Sequence, residues 1–302
     1  MVRYRSVRTG AVCLVVALGA CASSTPSATP VGNCPVPPRR IAVSVDQWRE
    51  LVERLAGDCG DVTTILTTTA DPHDFEPTPA DIAALSDADV VVENGLGYDP
   101  WVDRSLAVAD HRATVLDVGR VVGVRTGTAN PHRWYRPADV HRMARAVTAE
   151  LVRHDPRAGT YFRKQARRWD ASMHRYDTTV AALRARHAGA RYAATEGVFD
   201  LMAHALGLVN RTPTGYERAV SNESEPGPAD LAAFESRVRS GAIDVFIDNP
   251  QTQGSIPDRL RVLAKRASVP VVEITESQPA RFATFAAWQL DQLHRIDRAL
   301  SR

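Results

Sequence analysis

Residues 160–188 read TYFRKQARRWDASMHRYDTTVAALRARHA, a run without Gly or Pro. Phe162, Ala166, Trp169, Met173, Tyr176, Val180 and Leu183 recur in it at alternating spacings of four and three. That period lines one stripe of a single amphipathic helix, about 45 Å long at 1.5 Å per residue. A coiled-coil partner is one way to cover such a stripe, but only three heptads are present and both flanks read as α/β. We therefore expect a backbone helix packed across two lobes. A continuous helix resists hinge bending more than a pair of loops does, so large lobe closure is not expected.

Outward from this run, short apolar segments alternate with helical patterns, the grammar of an α/β fold with mostly parallel strands. Strands are predicted at Arg40–Val45, Val62–Thr67, Asp89–Glu93 and Thr114–Val118 before the long helix. Tyr192–Thr195, Ile243–Ile247 and Pro270–Ile274 are predicted after it. Helices are predicted over Gln47–Leu55, Ala80–Leu85, Ala138 to about His154, and about Phe282 to Leu300. Thr78-Pro79-Ala80-Asp81 is a helix start, with Thr as cap, Pro in the first turn and Asp three residues past the cap.

The N-terminus reads as an address. Arg3, Arg5 and Arg8 precede an apolar run from Ala11 to Leu18 that is too short to span a bilayer. Leu18-Gly19-Ala20-Cys21 resembles a bacterial lipobox, in which cleavage leaves a lipidated Cys21 as the new N-terminus; an ordinary cleaved signal with an incidental Cys is the alternative. The uncharged, Ser/Thr/Pro-rich segment from Ala22 to Asn33 cannot bury enough apolar area to order itself. As a coil it spans roughly 20 Å r.m.s.. The expected organisation is a signal peptide over 1–20, a lipidated tether over 21–34, an N-terminal lobe over 35–156, the linking helix over 157–188, and a C-terminal lobe over 189–302. In an oxidising compartment the remaining cysteines, Cys34 and Cys59, are expected as a disulfide closing a loop of about 25 residues, with two free thiols as the alternative.

The 302 residues are 44% hydrophobic and 24% charged, enough for a sizeable core and against disorder. A net charge of +2 disfavours nucleic acid, which needs a basic excess to neutralise phosphates. No HExxH, GxSxG, Walker loop or GxGxxG is present. Chemistry is instead concentrated in four segments near predicted strand ends, where open α/β sheets bind ligands: 71–77 with His73, 130–134 with His132, Glu196 in 195–199, and Glu276 in 275–277. Two neutral imidazoles and two carboxylates balance a divalent cation, which matters in a poorly solvated cleft. Each alone has a plainer reading: a solvated loop histidine, or a carboxylate complementing a helix N-terminus. His111, His141, His154, His174, His187 and His294 read as solvated, and His204 is a reserve ligand. A catalytic zinc keeps a position open for water, which four protein ligands fill, so binding is favoured over catalysis.

At these residues the sequence resembles the zinc/manganese solute-binding lipoproteins of bacterial ABC uptake transporters. Asp71-Pro72-His73 with Glu76-Pro77-Thr78-Pro79-Ala80-Asp81 is similar to that family's first metal motif, and Asn130-Pro131-His132-Arg133-Trp134 to its second. Glu196-Gly197-Val198-Phe199-Asp200-Leu201 resembles the third, where many members carry His at the first position; Thr275-Glu276-Ser277 resembles the fourth, where Asp is usual. The run from Glu93 to Trp101 and Ser224-Glu225-Pro226 look like family segments of structural kind. The resemblance covers essentially the whole mature chain. It implies two α/β lobes joined by one long helix, in agreement with the apolar stripe.

The resemblance further implies a monomer, lipid-anchored at the outer face of the cytoplasmic membrane. In this reading His73 and His132 from one lobe and Glu196 and Glu276 from the other clamp one Zn²⁺ or Mn²⁺ as cargo for an ABC permease and its ATPase. Bidentate carboxylates would suit six-coordinate Mn²⁺, and monodentate ones the Zn²⁺ tetrahedron. Glu196 is a variant that the family associates with manganese, and no His-rich loop marks the chain as zinc-specific. Intrinsic affinity favours zinc at nearly any such site, so the cargo stays open between the two ions. The rival readings are an exported metal-dependent hydrolase and a surface adhesin or structural lipoprotein with a vestigial cleft.

Overall fold

The computed structural model describes residues 33–67, 75–124, 129–252 and 254–302. Its first lobe holds β1 (Arg39–Val45), β2 (Gly60–Leu66), β3 (Val90–Glu93) and β4 (Thr114–Asp117), all parallel in the order β2-β1-β3-β4. The second holds β5 (Arg191–Ala194), β6 (Val209–Asn210), β7 (Val245–Asp248) and β8 (Val271–Glu273), parallel in the order β6-β5-β7-β8. The central strands read as unbroken apolar runs because both faces are covered; Val90, Val91 and Val92 are all buried. The two sheets repeat one topology. In each, the order reverses beside the first strand, which opens a crevice at the carboxyl ends.

Helices α1 (Arg49–Ala56), α2 (Pro79–Asp87), α3 (Trp101–Val108), α4 (Val118–Val121) and α5 (Pro137–His154) belong to the first lobe. After α6 (Gly159–His187) come α7 (Asp200–Leu206), α8 (Thr214–Ser221), α9 (Pro228–Arg239), α10 (Ser255–Arg266) and α11 (Phe285–Leu300). The Thr78 start is present as a full capping box with Asp81 and with Pro79 in the first turn. The last helix begins at Phe285 and not near Phe282, because the Thr284 side chain accepts the Ala287 N–H at 3.1 Å and caps it there. Strand β6 escaped the sequence reading: it is two exposed residues with no apolar run to mark it.

The long helix is as the stripe required. It has 29 residues and buries Phe162, Trp169, Met173, Tyr176 and Leu183. Helices α1 and α5 cover it from the first lobe, and α7 and α11 from the second. Phe285 of α11 stands 6.4 Å from Trp169 and 6.2 Å from Tyr176, centroid to centroid. One hydrophobic core therefore runs from Val43 and Val91 through α6 to Val245 and Trp288. A smaller cluster, with Tyr216, Phe234 and Phe246, fills the far face of the second sheet.

Helix α6 crosses the amino ends of both sheets. Arg39, first residue of β1, pairs with Asp155 just ahead of the helix, at 2.9 Å from Nη2 to Oδ1. Strand β5 starts at Arg191, immediately past its far end. The same edge holds a disulfide between Cys34 and Cys59, Cα atoms 5.1 Å apart. Asn33 N–H donates to Asp58 Oδ2 at 2.9 Å, and Asp58 N–H donates to the Tyr161 hydroxyl of α6 at 2.8 Å. Among the described residues no helix is long and apolar enough to cross a membrane.

Two stability outcomes follow from this packing. Replacing both Cys34 and Cys59 with Ser is expected to lower unfolding free energy by about 3.5 kcal/mol, from the freed loop entropy, in denaturant titration. Trp169→Ala is expected to cost about 3–5 kcal/mol and, because the core is shared, to lower a single calorimetric transition and not split it in two.

Candidate metal centre

Three of the four ligands expected from the sequence lie among the described residues. His132 precedes a short 3-10 turn, Arg133–Tyr135, that leads into α5. Glu196 follows β5 and precedes a second short turn, Gly197–Phe199, before α7. Glu276 follows β8 and is 6% exposed. All three sit at the carboxyl edges of the sheets, facing the crevice. His73 lies outside the described residues, as does Cys21.

His132 meets Glu276 across the cleft, with Nε2 at 3.3 Å from Oε1. Its tautomer follows from its neighbours. Asn130 Nδ2 donates to the Gly197 carbonyl at 2.6 Å, which fixes Oδ1 as the atom facing His132. That oxygen accepts the His132 backbone N–H and lies 2.9 Å from Nδ1. Nδ1 therefore carries a proton shared with Asn130 Oδ1, and Nε2 is the ring atom that faces the carboxylate oxygen. Such an arrangement calls for a cation or a proton between the two atoms.

Glu196 stands near enough to interact electrostatically with both. Its carboxyl is pushed up first by burial and then by the Glu276 charge, against the hydrogen bond from Thr252, the nearby Asn249 amide and the pull of His132. The Thr252 hydroxyl donates to its Oε1. Among the described residues, no three His, Cys, Asp or Glu side chains are grouped closely enough to enclose an ion. His132 and Glu276 form the pair, and Glu196 stands beside it. Glu196 stands at the N-cap of the Gly197–Phe199 turn without a side-chain capping bond, and eight residues separate Glu276 from α11. His204 is exposed near the end of α7.

Other histidines correct the solvated reading. His141 pairs with Asp177 at 2.9 Å, His154 with Glu150 at 3.0 Å and His187 with Asp297 at 2.8 Å, each partly buried. The His141 and His187 pairs join α5 to α6 and α6 to α11, and the His154 pair lies within α5.

The positioning residues were not singled out from the sequence. Tyr98 donates its hydroxyl to Glu276 Oε1 at 2.7 Å, the atom that faces His132. Gln47 Nε2 donates to the Tyr98 oxygen at 3.2 Å and to the Glu276 carbonyl at 3.4 Å. Burial raises the Tyr98 phenol well above its ordinary range, with the Glu276 charge adding to the rise, so it remains a donor. Asn94 Nδ2 donates to the Pro131 carbonyl at 3.0 Å and so ties the His132 segment to the end of β3. Arg133 turns inward onto fully buried Asp139, anchoring that segment from behind. Tyr135 donates to the Thr275 carbonyl at 2.6 Å and contacts Gln292 at 3.0 Å, linking the His132 segment directly to the Glu276 segment.

The Glu93–Trp101 segment supplies the frame for this network. Asp99 accepts from Ser44 Oγ at 2.5 Å and from the N–H groups of Asn94 and Gly95 at 2.7 Å each. Gly95 is required: its φ is +66°, and a Cβ would stand 2.6 Å from Asp117 Oδ1. Glu93, 2% exposed, has its carboxyl pushed up to about 8 by burial and then by Asp103, Asp99 and Asp117. Ser224-Glu225-Pro226 lies in the exposed connection between α8 and α9.

Fold and site together define a two-lobed binding protein whose cleft carries imidazole and carboxylate from opposite lobes. The chain belongs to the ZnuA family, described as zinc-uptake complex component A, periplasmic, whose profile matches residues 41–299. It is 22% identical over 229 residues to the high-affinity zinc uptake system protein ZnuA of Bacillus subtilis, covering 70% of each chain. It is 23% identical over 274 residues to the manganese ABC transporter substrate-binding lipoprotein PsaA of Streptococcus anginosus, covering 85% of this chain and 84% of that one. In fold it matches a mutant of the laminin-binding adhesin (Lmb) of Streptococcus agalactiae, with TM-score 0.71, 20% identity, and coverage of 87% and 99%.

The Glu93 environment has a measurable consequence. A folded-state value of about 8 against the ordinary 4.5 means the folded protein holds a proton that the unfolded chain has released. Stability is therefore lost as pH rises between those two values. Glu93→Gln is expected to leave the melting temperature at pH 5 nearly unchanged. At pH 8 it is expected to raise stability by up to a few kcal/mol, read from paired thermal melts.

Proposed function

We propose that this protein captures one divalent transition metal, Zn²⁺ or Mn²⁺, outside the cytoplasm and delivers it to an ABC importer. The observation that carries the reading is the His132–Glu276 pair across the cleft. Two ligands at about 2.1 Å from one ion on a tetrahedral angle stand about 3.4 Å apart, close to the 3.3 Å between these atoms. A divalent ion at this position would also relieve the repulsion between Glu276 and Glu196 that lifts the Glu196 carboxyl. The ligand set we propose is His73, His132, Glu196 and Glu276. It leaves no open position for an activated water, in keeping with a carrier that performs no catalysis. Family membership supports the same role, with a permease and its ATPase as partners. Cys21 would carry the lipid that holds the monomer at the outer face of the cytoplasmic membrane. The likeness to an adhesin is one of fold alone and supports no second reading.

The chelator-stripped chain, titrated with Zn²⁺ and with Mn²⁺ in separate calorimetric runs, is expected to take up one ion with sub-micromolar affinity. At a hundredfold excess of ligand over Kd, stability should rise by about 2.7 kcal/mol. His132→Ala, Glu276→Gln and His73→Ala are each expected to weaken binding more than an outer-shell change does. Tyr98→Phe, which removes the bond to Glu276 and the one accepted from Gln47, should weaken it about tenfold. Absence of saturable binding by either ion would overturn the reading, and unchanged affinity in a variant would remove that residue from the site.

A further inference from the structure

We propose that the outward face of the first turns of α6 rests on anionic phospholipid headgroups, holding the cleft turned away from the membrane. Residues 156–169 carry Arg157, Arg163, Lys164, Arg167 and Arg168 and no acidic residue. All five are exposed, and among the described residues none is held in an ion pair. Elsewhere both kinds occur: Arg39, Arg49, Arg153, Arg186 and Arg191 each contact a carboxylate, and what marks residues 156–169 is the clustering of five cations without an acidic residue among them. Arg163 and Arg167, like Lys164 and Arg168, stand at i,i+4, so four like charges crowd adjacent rows of one helix face. That arrangement weakens the helix, and no carboxylate within residues 156–169 offsets it. A surface of negative headgroups would.

The same face borders a groove of about 400 Å³ between α5 and α6, with Ala144, Val152 and Ala166 in its wall, Arg145 and Arg163 beside them, and Asp170 also at its edge. A phosphate between two guanidinium groups, with its glycerol against small apolar side chains, suits that lining. Where the chain enters the fold selects a membrane as the occupant. Asn33 is joined through Asp58 to Tyr161 in the first turn of α6. Cys21 is separated from it by a stretch spanning roughly 20 Å r.m.s.. The basic turns are thus the part of the fold a lipidated Cys21 would keep closest to the bilayer. Helix α6 lies along the amino ends of both sheets, whereas Glu196 and Glu276 lie at their carboxyl ends. Contact through α6 therefore points the cleft outward, toward incoming metal, and delivery would require the molecule to leave this pose.

This inference rests on the anchored reading above for the tether's direction, but its test needs no lipid. A chain begun at Ala22 keeps every element described. It is expected to co-sediment with vesicles containing 30% phosphatidylglycerol at 0.05 M NaCl, to release at 0.5 M, and to ignore pure phosphatidylcholine. Reversing four charges together (Arg163→Glu, Lys164→Glu, Arg167→Glu, Arg168→Glu) should weaken partitioning at least about tenfold. Lys265→Glu with Arg266→Glu on α10 should change it little. Melting and metal titration check that each variant is folded, and they report on the metal reading separately. With headgroup nitroxide lipids, a fluorophore at Ala171→Cys should be quenched and one at Asp103→Cys, in the cleft-side first turn of α3, should not. Equal binding to neutral vesicles, or undiminished binding by the fourfold variant, would overturn the proposal.

Discussion

The two lobes share one apolar core, and the geometry of the cleft depends on that sharing. Trp169 and Tyr176 of α6 pack on Phe285 of α11, Phe285 lies against Trp288, and Trp288 against Tyr135. Tyr135 in turn donates to the carbonyl one residue before Glu276. A side chain of the first lobe thus sets the height of a carboxylate in the second, through contacts that are fully buried. Changing the relative position of the lobes would expose much of this aromatic chain, at a hydrophobic cost of about 25 cal/mol for each Å² uncovered. The architecture favours small adjustments at the cleft over wide opening.

Against that rigid frame the cleft concentrates imidazole and carboxylate groups from both lobes. The Glu276 charge raises the cost of ionising Glu196, and His132 Nε2 faces the Glu276 carboxylate. Hydrogen bonds from Tyr98 and Thr252 orient the oxygens. Pre-positioned ligands of this kind suit capture of a cation better than chemistry on an organic substrate. Outer partners such as Asn130 and Tyr98 set tautomer and direction, and so belong to the site as much as the atoms facing the ion.

The carboxyl edge of the sheets and the amino edge serve different tasks. One gathers acidic and imidazole groups at the crevice where the strand order reverses. The other carries the entry of the chain, the disulfide and the basic turns of α6. Because parallel sheets place all like ends together, this separation of a metal-facing side from a basic side follows directly from topology.

Much of the fold was legible because it rests on local periodicity. The alternating spacing of four and three from Phe162 to Leu183 specifies one long helix and the face it buries, and the valine run at 90–92 specifies a strand covered on both faces. Cap residues at Thr78 were equally plain, while Thr284 showed its effect only once its bond to Ala287 was seen. His132, Glu196 and Glu276 could be named from residue type and motif. That His132 and Glu276 touch, 144 residues apart in sequence, required the lobes to be docked. The roles of Tyr98, Asn130 and Tyr135, and the pairing of His141, His154 and His187, were decided by tertiary structure alone. Whether a hydroxyl or an imidazole is solvated or bonded depends on what the fold brings within 3 Å of it, and no local pattern in the chain encodes that neighbour.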